Sequence, residues 1–146
     1  MTMNALDQSR YRLRLAEGFL QEARQDFASS RWRSCVDNSQ LSVEHAAKGA
    51  LGLLGPIGRT HNPAFFLREA LRDSRFPPSV QMQVESLAEC AELLGPEVHI
   101  KSDYGDEQMQ KTPWELFDEG RAREALDLAE RAVLLARQIV ERGLIP

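Results

Sequence analysis

The sequence predicts an all-α protein, an up-and-down bundle of four principal helices plus one short helix. Apolar residues recur at steps of three, four and seven almost throughout, and no segment sustains the period-two alternation of a half-buried strand. Gly-Pro and Pro-Pro pairs separate the periodic stretches. At 146 residues, 42% apolar and 27% charged, the chain is expected to form one domain over residues 1–146 rather than a two-domain enzyme.

The elements follow in order. Over about 4–28, Leu6, Leu13, Ala16, Leu20, Ala23 and Phe27 form one stripe of a long amphipathic helix, interrupted by Ser29 and Ser30. From Arg31 a second helix carries Cys35, Val36, Val43, Ala46, Ala47, Ala50, Leu51 and Leu54 until Gly55-Pro56 ends it. Its Ala and Gly content lets neighbouring backbones approach, which makes it the central helix. Asn62 is placed to cap a helix that opens on Pro63 and runs to about Arg72. After Pro77-Pro78, Val80, Val84, Leu87, Ala91 and Leu94 mark a further helix, closed by Gly95-Pro96. The stretch 97–111 is polar and aperiodic, and is expected to be a long functional or mobile loop. Thr112, Pro113 and Glu115 make a capping box for a short turn. Asp118 then caps the last helix, whose stripe is Ala122, Leu126, Ala129, Val133, Ala136 and Val140. Phe19, Phe65, Phe66 and Trp114 are either core residues or a surface that a second chain would cover.

Charge and cysteine usage narrow the function classes. A net charge of −4 argues against the basic surface that nonspecific nucleic-acid binding needs. The negative charge is concentrated after Glu85: ten acids against Lys101 and Lys111 over 85–119, whereas the first 50 residues are nearly balanced. Cys35 and Cys90 form neither a disulfide framework nor a zinc motif, and are expected to be buried thiols. No apolar run approaches the roughly 20 residues of a membrane span, and the first residues lack a secretory apolar core, so a cytoplasmic protein is expected.

Candidate chemistry lies in two places. Gln40, Glu44 and Lys48, four apart, form one polar row on the central helix. Exposed, the row is solvation; facing a groove, it could bind a ligand or pin two chains together. His45 reads as a surface or interhelix residue, and His61 as a ring bonded near a helix cap. His99 shares its stretch with Lys101, Asp103, Tyr104, Asp106 and Glu107, a set able to meet phosphate, metal or an exposed base. Those acids lack an EF-hand's ligand spacing, and no phosphate loop, GxSxG elbow, HExxH pair or dinucleotide fingerprint occurs. No metal or cofactor is expected.

The run DFASSRWRSCVDNSQLSVEHAAKGALGLLG, with Trp32, Gln40, Glu44 and Lys48, then His61, SDYGD and TPWELFDEGRAREALDLAERAV, resembles the HEPN domain from about Leu13 to Val140. The resemblance implies a homodimeric bundle, often encoded beside a small nucleotidyltransferase, with some members acting as toxin ribonucleases in toxin–antitoxin pairs. Those ribonucleases use an arginine followed after four to six residues by a histidine. Here the positions to test are Asn38, Ser39 and Gln40 for His45, Leu54, Gly55 and Pro56 for His61, and Glu92, Leu93 and Leu94 for His99. None is arginine, and Asp103 precedes Tyr104 where many relatives are expected to have arginine. The expectation is therefore a non-catalytic module that binds a nucleotide or a nucleotidyltransferase-type partner through Gln40, Glu44, Lys48, His61, His99, Lys101 and Tyr104. The alternative is a divergent metal-independent ribonuclease using His99. Neither membrane nor nucleic acid is an expected partner of the leading reading.

Overall fold

The computed structural model describes residues 4–143. The first helix, α1 (Ala5–Ala28), opens where the Asn4 side chain accepts the Asp7 backbone N–H at 2.8 Å. Ser30, at φ 58°, turns the chain into α2 (Trp32–Gly52). The buried Asp26 carboxylate holds this corner, accepting Arg31 Nε at 3.0 Å and Asn38 Nδ2 at 2.7 Å. Trp32, the first residue of α2, packs edge-on against Phe27 with ring centroids 5.2 Å apart.

Two short-residue contacts set how closely α1 and α2 approach. A Cβ on Gly52 would lie 2.7 Å from Ser9 Oγ, and Gly49 sits against Leu13. The rest of the bundle then packs around α2. The long α7 (Glu119–Gly143) lies against α2, α1 and α4 (Gln81–Leu93), while α3 (Pro63–Arg72) packs on α4 and α2. A 3-10 turn, Pro78–Val80, leads into α4. The core joins the stripes of the long helices: Ala16, Leu20, Val43, Ala47, Val84, Leu87, Ala129, Val133 and Ile139 are all buried. The architecture is all-α, as the periodicity predicts, and no helix among the described residues is long and apolar enough to cross a membrane.

Local signals explain the remaining ends. Asp118 accepts the Arg121 backbone N–H at 2.9 Å and caps α7. Glu115 accepts from the Thr112 backbone N–H at 3.4 Å and hydroxyl at 3.0 Å, closing the box over α6 (Pro113–Leu116). Asn62 does not cap α3: its side chain makes no such bond, and its own N–H donates to Thr60 Oγ1 at 3.0 Å.

The stretch 97–111 is not a long loop. Pro96–Tyr104 is a helix, α5, with Pro96 in its first turn, Glu97 at its positive end and Lys101 at its negative end. Gly105 stops it, and a tight turn follows in which Asp106 and Lys111 exchange backbone hydrogen bonds at 2.8 and 3.0 Å. Lacking an apolar stripe, α5 escapes a search by periodicity. It packs on α2.

Gly105 has φ 74° and ψ −155°, a region that only glycine occupies without strain, and a Cβ there would collide with the Lys111 carbonyl. Gly105→Ala should therefore cost about 1–3 kcal/mol from the backbone alone, read as a lower urea midpoint, whereas Gly58→Ala, with open space around its Cβ, should leave the midpoint nearly unchanged.

Candidate functional site

At 100° per residue, Arg33, Asp37, Gln40, Glu44 and Lys48 share a sector of α2 about 80° wide. They form one polar row, two residues longer than the one the sequence singles out. Its upper part is buried: Gln40 is 1% exposed, Glu44 6% and Lys48 7%. Lys48 Nζ lies 3.4 Å from Glu44 Oε2, and His61 Nδ1 lies 3.5 Å from Glu44 Oε1. The His61 side chain is 85% exposed, so it stands at the mouth of this pair. Gln40 Oε1 is buried without a hydrogen-bond partner among the described residues. Such an atom is costly in a free chain.

The lower part of the row meets α5. Asp37 Oδ1 accepts Ser102 Oγ at 2.9 Å and lies 2.9 Å from His99 Nδ1. His99 Nε2 lies 3.5 Å from Asp103 Oδ2, one turn along α5. Arg33 donates through Nη2 to Asp103 Oδ1 at 3.0 Å and through Nε to the Ser102 carbonyl. Asp37 and Ser102 carry this arrangement yet escape sequence reasoning, because 62 and 65 residues separate Asp37 from its two partners. The available signal is position: Asp37 precedes Glu44 by seven residues, two helical turns, on the same face.

The other predicted residues fall elsewhere. Lys101 and Tyr104 are exposed, turned about 200° and 140° around α5 from His99. They are not brought to the α2 row. His45 is an interhelix residue, stacked on Phe19 at 5.5 Å between ring centroids and 3.3 Å from Arg12 Nη1 through its Nδ1. Burial, then the Arg12 and Lys48 charges, lower its pKa to about 4. Cys35 and Cys90 are buried and free, and burial raises the Cys35 thiol to about 11. Neither is a nucleophile. Phe65, Phe66 and Trp114 are exposed, while Phe19 is half-buried.

Comparison with known proteins finds the same fold. The HEPN domain family matches the chain over residues 9–140, and the chain belongs to that family. Among solved structures it is similar to TT1696 from Thermus thermophilus, at 20% identity and a TM-score of 0.69, covering 94% of this chain and 99% of that one. It is also similar to ST0689, an archaeal HEPN homologue, at 24% identity and a TM-score of 0.67, covering 95% and 99%. At these identities the two structures support the fold alone. No curated protein matches.

Two stability tests follow from the row and its neighbour. Lys48→Met leaves the Glu44 carboxylate buried beside only a histidine and should cost about 3 kcal/mol in urea unfolding. The double variant Glu44→Leu/Lys48→Met removes both charges and should recover most of that loss. For His45 the folded pKa, about 4, lies below the ordinary 6.5, so the unfolded chain binds more protons between these values. Stability contributed by neutral His45 should be full above about pH 6.5 and fall as pH drops toward 4. His45→Gln should flatten that slope in denaturant titrations run across the window.

Proposed function

We infer that this HEPN domain works as a non-catalytic binding module, a homodimer that takes a nucleotide or a nucleotidyltransferase-type partner along the α2 row. The observation that carries this reading is the buried Glu44 and Lys48 pair beside the unpartnered Gln40 Oε1, with exposed His61 at its mouth. A ligand with both donors and acceptors would satisfy these groups, and a row that served only solvation would not be buried. Support for pairing of two chains comes from the apolar side chains left in solvent on the short helices around α2: Phe65 and Phe66 on α3, Ile100 and Tyr104 on α5, and Trp114 on α6. Two buried, unpaired thiols accord with a cytoplasmic setting.

Light scattering at micromolar concentration should give a dimer, and calorimetry with ATP or co-purification with a nucleotidyltransferase encoded nearby should show binding. His61→Ala should weaken that binding about tenfold, the loss of one charge-assisted hydrogen bond. A monomer that binds neither would overturn the reading.

A second reading, a divergent metal-independent ribonuclease, has one specific observation in its favour. Arg33 and His99 meet on the same Asp103 carboxylate, so the fold supplies in space the guanidinium that linear spacing lacks. Single-stranded RNA incubated with the protein in chelator decides between the two. Cleavage lost in His99→Ala would favour the enzyme, and intact RNA the binding module.

A further inference from the structure

The C-terminal ends of α2 and α3 meet around a cavity of about 260 Å³, lined by no residue of the polar row or of α5. Two local devices build it. Gly55, at φ 134°, turns the chain sharply out of α2 into the loop 55–60. At the end of α3, Ser74 takes the left-handed conformation (φ 53°) and its N–H donates to the Leu71 carbonyl at 3.2 Å, while the Arg75 N–H donates to the Ala70 carbonyl at 2.9 Å. These are the paired bonds of a Schellman cap. The cap brings Arg75 back toward α2, where its Nη2 donates to the Leu54 carbonyl at 3.1 Å and ties the two helix ends together.

The cavity has an apolar floor and charged walls. Leu51 and Ala70 are buried beneath it, and Leu54 and Ile57 are half-buried at its sides. Phe66, Glu69, Ala70 and Asp73 share about 100° of arc on α3 and all line it, which sets two carboxylates beside an aromatic ring. Arg59 and Thr60 line it from the loop. Among the described residues, Arg59, Glu69 and Asp73 have no ion-pair partner. Thr60 Oγ1 accepts the Asn62 N–H at 3.0 Å, and its own O–H remains to donate.

We propose that this cavity binds a small zwitterion, an aliphatic α-amino acid, with its ammonium on Glu69 and Asp73, its carboxylate on Arg59 and Thr60, and its side chain on the apolar floor. The volume sets the size, because it falls below the roughly 300–1,000 Å³ of sites for drug-sized ligands. The charges set the chemistry. Glu69 and Asp73 stand at the C-terminal end of α3, where the backbone dipole also favours a cation, and Arg75 is engaged by the Leu54 carbonyl rather than by these acids. On the facing loop a guanidinium and a hydroxyl suit a carboxylate. A ligand carrying both signs matches these walls better than one carrying either alone. The site is separate from the Glu44 and Lys48 pair and does not rest on a nucleotide or a partner binding there.

The test is an amide chemical-shift titration of the full chain with L-leucine, alongside leucinamide, which lacks the carboxylate, and 4-methylpentanoate, which lacks the ammonium. L-Leucine should give saturable shifts centred on residues 51–60 and 66–75, and each analogue should bind at least about tenfold more weakly, one charge-assisted contact being lost. Arg59→Gln and the double variant Glu69→Gln/Asp73→Asn, shown by circular dichroism to be folded, should each weaken leucine by about tenfold or more. Glu107→Gln, an exposed acid away from the cavity, should bind as the parent does. The absence of saturable shifts with leucine would overturn the proposal. So would shifts centred on Glu44 and Lys48 instead, unaltered leucine binding in the folded double variant, or analogues that bind as tightly as leucine.

Discussion

The rest of this bundle depends on a helix that buries charge. An ordinary central helix satisfies its backbone internally and presents only apolar or small side chains to its neighbours. Here α2 does so on most of its circumference, through Val43, Ala46, Ala47, Gly49 and Ala50, yet one sector carries Arg33, Asp37, Gln40, Glu44 and Lys48. Charges removed from water require partners. Those partners come from whatever packs on that sector, which ties the segment before α3 and the whole of α5 to a particular register along α2.

Two different forces therefore assemble the molecule. The long helices α1, α2, α4 and α7 meet through interlocking small and branched residues, a nondirectional and roughly area-proportional attraction. In α5 only Ser102 is buried, and its place is set by directional contacts: Ser102 and His99 on Asp37, and Arg33 on Asp103 and the Ser102 carbonyl. Contacts of this kind between partly exposed groups are worth little individually. The element that carries His99 and Asp103 thus buries little apolar surface of its own, Val98 being its contact with the core, a usual place for parts that respond to a ligand.

This division also explains what can be read from the sequence. The stripes of α1, α4 and α7 are legible because an apolar core imposes period 3.6, and residues such as Val84, Leu87, Ala129 and Val133 fall on it and are buried. The α5 helix is illegible by the same method, since directional contacts impose no period. The row Gln40, Glu44 and Lys48 is visible as spacing, but its burial is not: nothing local distinguishes a solvated polar face from one covered by another segment. Asp37 and Asp103 come together across 66 positions, and no pattern within either helix announces it. Lys101 and Tyr104 stand out for their chemistry within the stretch 97–111, and a helix there turns them away from His99.

The meeting of Arg33 with His99 bears on whether the site acts or holds. Metal-independent phosphodiester cleavage needs a guanidinium free to meet developing phosphate charge and an imidazole nitrogen free to move a proton. Arg33 is instead committed through Nη2 to Asp103 and through Nε to a backbone carbonyl, and both His99 nitrogens face carboxylates. A phosphate approaching this cluster would meet Asp37 and Asp103 before it met an unengaged cation. Catalysis would require α5 to release both groups. The geometry that supplies the arginine missing from the linear motif also occupies it, and this favours binding over cleavage.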